Sequence, residues 1–245
     1  MAKYKIKKGV GIIPEGTIEI EECAFYGCEK MTSVKIPSSV KVIGEKAFAF
    51  CTGLTNIEIP ESVTNIKSGA FCGSGLTSIV IPKNVIEIGD YNDFFERFCH
   101  DAFSGCSALT SIVVEEGNPK YDSREGCNAI IETKTNKLVQ GCVNTVIPQS
   151  VTSIGFSAFL RCKGLTSIDI PSSVKSIEAR AFKECRELTD ITILESVTEI
   201  EEYAFFGCRA LKNVILPSTL KNIGKSAFLS CGGLTKLKIA MSSEL

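Results

Sequence analysis

The chain repeats itself every 23 residues, and that period limits what it can fold into more than any other feature. Leu165 to Glu187 reads LTSIDIPSSVKSIEARAFKECRE, and Leu188 begins the pattern again. With the proline of the unit as a ruler, marks fall at Pro14, Pro37, Pro60, Pro82, Pro148, Pro171 and Pro217, with Glu115, Leu194 and Ala240 in the same slot. A fixed period of this length is the signature of stacked repeats. Each copy is too small to bury its own apolar face and folds only against its neighbours. The expectation is a single solenoid over residues 1–245, built from about nine 23-residue units.

Within the unit, Ile168 and Ile170 alternate with Ser167 and Asp169, which is the period of a strand with one buried face. Pro171 ends that strand because it has no N–H for a ladder, and Ser172-Ser173 supply a polar turn. Val174 and Ile177 follow three apart, and Ala181, Phe182 and Cys185 have a spacing that suits a helical turn.

Twelve cysteines would suggest disulfides if they were irregularly placed. Instead Cys28, Cys51, Cys106, Cys162, Cys185, Cys208 and Cys231 each stand three residues after the Phe of an Ala-Phe pair. Equivalent side chains on coils about 4.8 Å apart point the same way, whereas a relaxed disulfide needs converging Cβ atoms roughly 3.8 Å apart. These seven are expected to form a ladder of buried thiols packed as small hydrophobes.

The order Leu54-x-x-Ile57-x-Ile59-Pro60-x-Ser62-Val63-x-x-Ile66-x-x-x-Ala70-Phe71, repeated with the same residue types in the same places, resembles the BspA-like leucine-rich repeats. The resemblance covers residues 10 to 240. It implies an α/β repeat solenoid, a right-handed leucine-rich-repeat coil with a parallel β-sheet on its concave face and short helical or irregular segments opposite. It also implies a surface-displayed, protein-binding or adhesive role, without identifying a partner.

Two departures interrupt the period. After Ile88 the step to the Phe lengthens to end at Phe103. The added stretch places Tyr91, Phe94, Phe95 and Phe98 at i, i+3, i+4 and i+7, the pattern of a short amphipathic helix over residues 90–99 capped by Asp90. Its aromatics either fold back onto the solenoid or form an exposed partner site.

The second departure runs from Glu115 to residue 147, where Asn128 to Glu132 and Lys137 to Gly141 read as a hairpin. A two-residue turn sets Ile131 opposite Leu138 and Cys127 opposite Cys142, making a disulfide feasible. A three-residue turn with Asn136 left-handed separates the two cysteines.

The chemistry of catalysis is sparsely represented. His100 is the only histidine, and its neighbour Cys99 points about 100° away on a helix, which is no geometry for a catalytic pair. No CxxC spacing marks a zinc site, and no glycine-rich phosphate loop occurs, so no metal, cofactor or enzymatic activity is expected. Twenty-seven basic residues against 28 acidic ones, without a run of five like charges, argue against nucleic acid. No stretch of 18 uninterrupted apolar residues suggests a membrane span. The N-terminus lacks the features of a secretory signal, so either a signal was removed and the protein is secreted or displayed, or it is cytoplasmic.

A partner must then meet the outward positions of the sheet, two and four residues before each proline mark. Most are small or polar, among them Asp169 and Thr192, while Val80, Val113 and Ile215 break the trend. Two functions are compatible with these residues: a protein-interaction or adhesion module, or an intracellular structural scaffold. A carbohydrate-binding role is less favoured, because the chain has no Trp.

Overall fold

In a computed structural model that describes residues 4–89 and 101–239, the chain divides into two compact units, 1–122 and 123–245. Each is a β-solenoid of stacked turns of chain held by parallel strands. In the first unit Ser78–Ile81 pairs in parallel with Ser111–Val114. Val10–Ile12 pairs in parallel with Ser33–Lys35 and antiparallel with Lys5–Lys7. In the second unit Asp190–Thr192, Asn213–Leu216 and Lys236–Ile239 form a parallel sheet. These are strands of the kind that the alternation predicts, although residues 168–170, with the same alternation, form no strand. Ile79, Ile81, Val214 and Leu216 are buried, and the residues between them face out.

A second set of parallel strands was not expected. Each is two residues long: Glu19–Ile20, Val42–Ile43, Asn65–Ile66 and Glu87–Ile88 in the first unit, and Ser153–Ile154, Ser176–Ile177, Glu199–Ile200 and Asn222–Ile223 in the second. Every isoleucine of this ladder except the last lies inside the core.

The segment expected to be helical is a run of turns, and no α-helix occurs among the described residues. The reason is visible in the dihedrals. Most coils have a left-handed residue just before the Ala-Phe pair and another four positions on, such as Arg180 (φ 60) and Glu184 (φ 58). An α-helix needs φ near −60° throughout. The reversal turns alternate amides toward the next coil: Arg180 N donates to Glu202 O at 3.0 Å, Phe182 N to Ala204 O at 2.7 Å and Glu184 N to Phe206 O at 2.7 Å. Stacking therefore satisfies the donors that a helix would have satisfied internally.

Phenylalanine rings fill the core beneath these turns. Phe25, Phe48, Phe71 and Phe103 stack at centroid spacings of 5.3, 5.4 and 5.4 Å, and Tyr4 lies 5.5 Å from Phe25. In the second unit Phe159, Phe182, Phe205 and Phe228 repeat the arrangement at 5.0, 5.2 and 5.1 Å. Nearly parallel rings at the coil spacing give continuous contact without a gap between layers.

The ladder cysteines are free thiols, as their spacing implied, but they do more than fill space. The Sγ of Cys51, Cys106, Cys185, Cys208 and Cys231 donates to the carbonyl of the Phe one coil back, at 3.0 to 3.1 Å. Cys72, outside the ladder, is disulfide-bonded, and its partner lies outside the described residues.

The hairpin forms between Ala129–Glu132 and Lys137–Gly141, but the Cys127–Cys142 bridge does not: neither cysteine is disulfide-bonded. Ile131 stands opposite Leu138 as the disulfide register requires. A β-bulge between Ile130 and Ile131 then shifts the pairing, so that Ile130 meets Gln140 and Ala129 meets Gly141. One inserted residue thus moves Cys127 and Cys142 out of register. Asn136 is left-handed, at φ 55, inside a four-residue turn.

Candidate functional site

The residues left for a partner are those that stacking does not consume. On the paired strands Ser78–Ile81 and Ser111–Val114, Val80 stands directly opposite Val113. They are 49% and 44% exposed, so two apolar side chains form one small patch on the first unit. In the second unit Thr192 stands beside Ile215, which is 42% exposed, and Asp169 is exposed 23 residues before Thr192. The sequence-predicted positions therefore fall into two groups, one in each unit. Tyr91, Phe94, Phe95 and Phe98 lie outside the described residues.

Around these positions the strands and the turns that follow them present hydrogen-bonding groups. The Asn213 amide donates to the Asp190 carboxylate at 2.8 Å, and this bond holds the Asp190 pKa below its ordinary value. Ser218 N and Oγ and Thr219 N donate to the Glu195 carboxylate at 3.0, 2.8 and 3.3 Å, which lowers its pKa as well. Both sets of bonds favour the ionised form of the carboxylate.

One cluster escaped the sequence reading. On the turn face of the second unit the Lys183 ammonium lies 5.8 Å from the Tyr203 ring and 5.4 Å from the Phe206 ring. Those rings pack edge to face at 5.8 Å. Burial, followed by the nearby Arg180, lowers the Lys183 pKa. Beside it Glu184 accepts from Arg161 at 3.2 Å and from Arg186 at 3.1 Å, and these cations outweigh its burial to lower its pKa. The signal was present in Tyr203-x-x-Phe206, but without the left-handed turn that spacing does not reveal which coil the rings cover.

Burial pushes the ladder thiols up, Cys51 to about 12 and Cys106 to about 11, so they are not thiolates at neutral pH. Among the described residues no group of three or more His, Cys, Asp or Glu side chains is placed to hold a metal ion. None of their helices is long and apolar enough to cross a membrane. A shallow recess of about 330 Å³ opens among Ile6, Gly27, Cys28, Glu29, Lys30 and Met31. The chemistry offered by the exposed strands is that of binding: fixed hydrogen-bonding groups, ionised side chains and a few apolar contacts.

Comparison with known proteins agrees with this architecture. The family model described as BspA type leucine rich repeat region, with 6 copies, matches residues 11–97 and 129–244. No curated protein sequence matches the chain. Among solved structures, a leucine rich cell surface protein from Faecalibacterium prausnitzii is 29% identical, with a TM-score of 0.67 over 91% of this chain. The pneumococcal vaccine antigen PcpA is 25% identical, with a TM-score of 0.75 over 90%. A leucine-rich repeat protein from Bacteroides ovatus is 26% identical, with a TM-score of 0.60 over 91%. The matches span 63%, 53% and 52% of those three chains respectively.

Proposed function

The chain belongs to the BspA-type leucine-rich repeat family, and from that membership we propose that it is a non-catalytic adhesion or interaction module. It binds a protein partner through the exposed face of its longer strands. The observation that carries this is the division of labour within the unit. Leucine, isoleucine, Ala-Phe and cysteine positions are spent on stacking, and only the outward positions of the strands differ freely between coils. Val80 and Val113 supply an apolar contact in the first unit, and Asp169, Thr192 and Ile215 supply mixed contacts in the second. Display at the cell surface is supported by the F. prausnitzii structure, itself described as a cell surface protein. The raised thiol pKa values and the single histidine support a role without catalysis.

The test has two arms. Fractionation of the native cells should find the protein in the surface fraction, and recovery only from the cytoplasm would favour the scaffold reading. Val80→Lys with Val113→Lys, and separately Thr192→Arg with Ile215→Lys, should each weaken partner capture at unchanged thermal stability. Capture unaffected by both pairs would remove the strand face as the binding surface.

A further inference from the structure

The strands Asp190–Thr192, Asn213–Leu216 and Lys236–Ile239 carry a charge pattern that no single strand reveals. Their register sets Asp190, Asn213 and Lys236 in one row across the sheet, and Thr192, Ile215 and Lys238 in the next. Asp169 extends the second row by repeat position, 23 residues before Thr192. All seven are exposed. Neighbouring strands lie about 4.8 Å apart, so Asp190 and Lys236 are separated by about 10 Å between Cα atoms. Asn213 stands between them and takes up the carboxylate, donating at 2.8 Å. One side of the face is therefore anionic, the middle carries an amide and the half-exposed Ile215, and the far side is cationic.

We propose that this face takes a dipolar segment of a partner protein, an extended peptide with a cationic and an anionic side chain three residues apart. The cation lies over Asp190 and Asp169, the anion over Lys236 and Lys238, and an apolar or small residue between them covers Ile215. The spacing follows from geometry, because a chain in the extended polyproline II conformation advances about 3.1 Å per residue and turns once in three residues, so side chains three apart share one face at a separation of about 9 Å. The sign pattern follows from balance. Two carboxylates face two ammonium groups, and a purely acidic segment drawn to the lysines meets the aspartates within about one Debye length, 8 to 10 Å. The proposal rests on the strand face being the binding surface and adds the chemistry of what it recognises.

The probes are fluorescent dodecapeptides on a Ser/Gly/Thr background: one with Lys and Glu three residues apart, an isomer with the two adjacent, one with Glu at both positions and one with Lys at both. The full chain is expected to bind the first at least about fivefold more tightly than the others, the scale of one or two exposed ion pairs. Lys236→Glu with Lys238→Glu should lose that preference and favour the all-Lys peptide. Asp169→Lys with Asp190→Lys should favour the all-Glu peptide. Both variants change exposed side chains, and equal melting temperatures confirm that they fold. Equal binding of all four peptides, or tightest binding of the all-Glu peptide by the unaltered chain, overturns the proposal. So does concentration-dependent dimerisation of the protein alone that Lys236→Glu abolishes, which would assign the face to a second copy. The peptide preference is read without the native partner, so it can hold where capture through Thr192 and Ile215 fails, and the reverse.

Discussion

The thiol of Cys185 donates to the carbonyl oxygen of Phe159 in the preceding coil, at 3.0 Å. That carbonyl also accepts from Cys162 N within its own turn, at 3.0 Å. The ladder cysteine thus joins consecutive coils at the point where the phenylalanine rings stack. Cys185→Ala is expected to lower the unfolding free energy by about 1–2 kcal/mol, from the lost sulfur contacts and the lost bond. Cys162 is less buried, and Cys162→Ala should cost less. Denaturant unfolding of the two variants tests this, and equal costs would show that the inter-coil bond contributes nothing.

The same burial makes stability depend on pH in a defined direction. Burial raises the folded-state pKa of Cys51 from 9.0 to about 12 and that of Cys106 to about 11. A thiol held protonated by the fold supports it fully below about pH 9, and that support is lost as pH rises through 11 to 12. Unfolding free energy should therefore be flat near pH 7.5 and decline above about pH 9. Each such thiol contributes a slope of up to about 1.4 kcal/mol per pH unit. Cys51→Ala should flatten the decline measured from denaturant midpoints at pH 8, 9, 10 and 11, and an unchanged slope would contradict the assignment.

Left-handed turn positions give a third expectation. Gly27 has φ 68, with nothing within 4 Å of where a Cβ would stand, so Gly27→Ala isolates the backbone term. It should cost about 1 kcal/mol. Ser230 occupies the equivalent slot at φ 63, and Ser230→Gly should stabilise by up to about 1 kcal/mol. Thermal unfolding reads both, and the two changes should have opposite signs.

How far the sequence revealed this fold follows from the length of each signal. The longer strands were legible because pairs such as Ile79 and Ile81 alternate with outward neighbours over enough positions to define a period, although the same alternation at Ile168 and Ile170 does not form a strand. The second sheet was not, because Ser176–Ile177 is two residues long and offers no alternation to detect. The turn segment misled for a different reason. Ala181, Phe182 and Cys185 have helical spacing, and the contrary signal, a glycine after the Ala-Phe pair at Gly27, Gly73, Gly105 and Gly207, is hidden where Phe50, Arg161 and Glu184 take the same slot. The hairpin register turned on one bulge between Ile130 and Ile131, which no residue type announces. The outward strand positions were legible. Lys183 between Tyr203 and Phe206 was not, because those contacts cross from coil to coil.

Asn118 ties the start of the long repeat to the coil before it. Its amide donates to Pro82 O at 3.1 Å and Val85 O at 2.8 Å, while its Oδ1 accepts from Lys120 N and Tyr121 N at 2.9 and 2.8 Å. Asn118→Ala should cost about 2–4 kcal/mol, since two carbonyls and two amides lose a partner together. Asn118→Asp keeps the acceptor but sets a carboxylate oxygen against the two carbonyl oxygens, and should cost at least as much. Denaturant unfolding orders the two variants, and near-neutral behaviour of both would show that the segment is held by other contacts.

The central claim is that the strand face, and not the turn face, meets the partner. Hydroxyl-radical footprinting of the full chain with and without its captured partner tests this directly, because suitable reporters are exposed on both faces. Val80, Val113 and Ile215 report on the strands, and Tyr26 and Leu229 report on the turns. The account predicts reduced labelling of Val80 and Val113, of Ile215, or of all three, with Tyr26 and Leu229 unchanged. Protection of Tyr26 or Leu229 with the strand residues still fully labelled would contradict it.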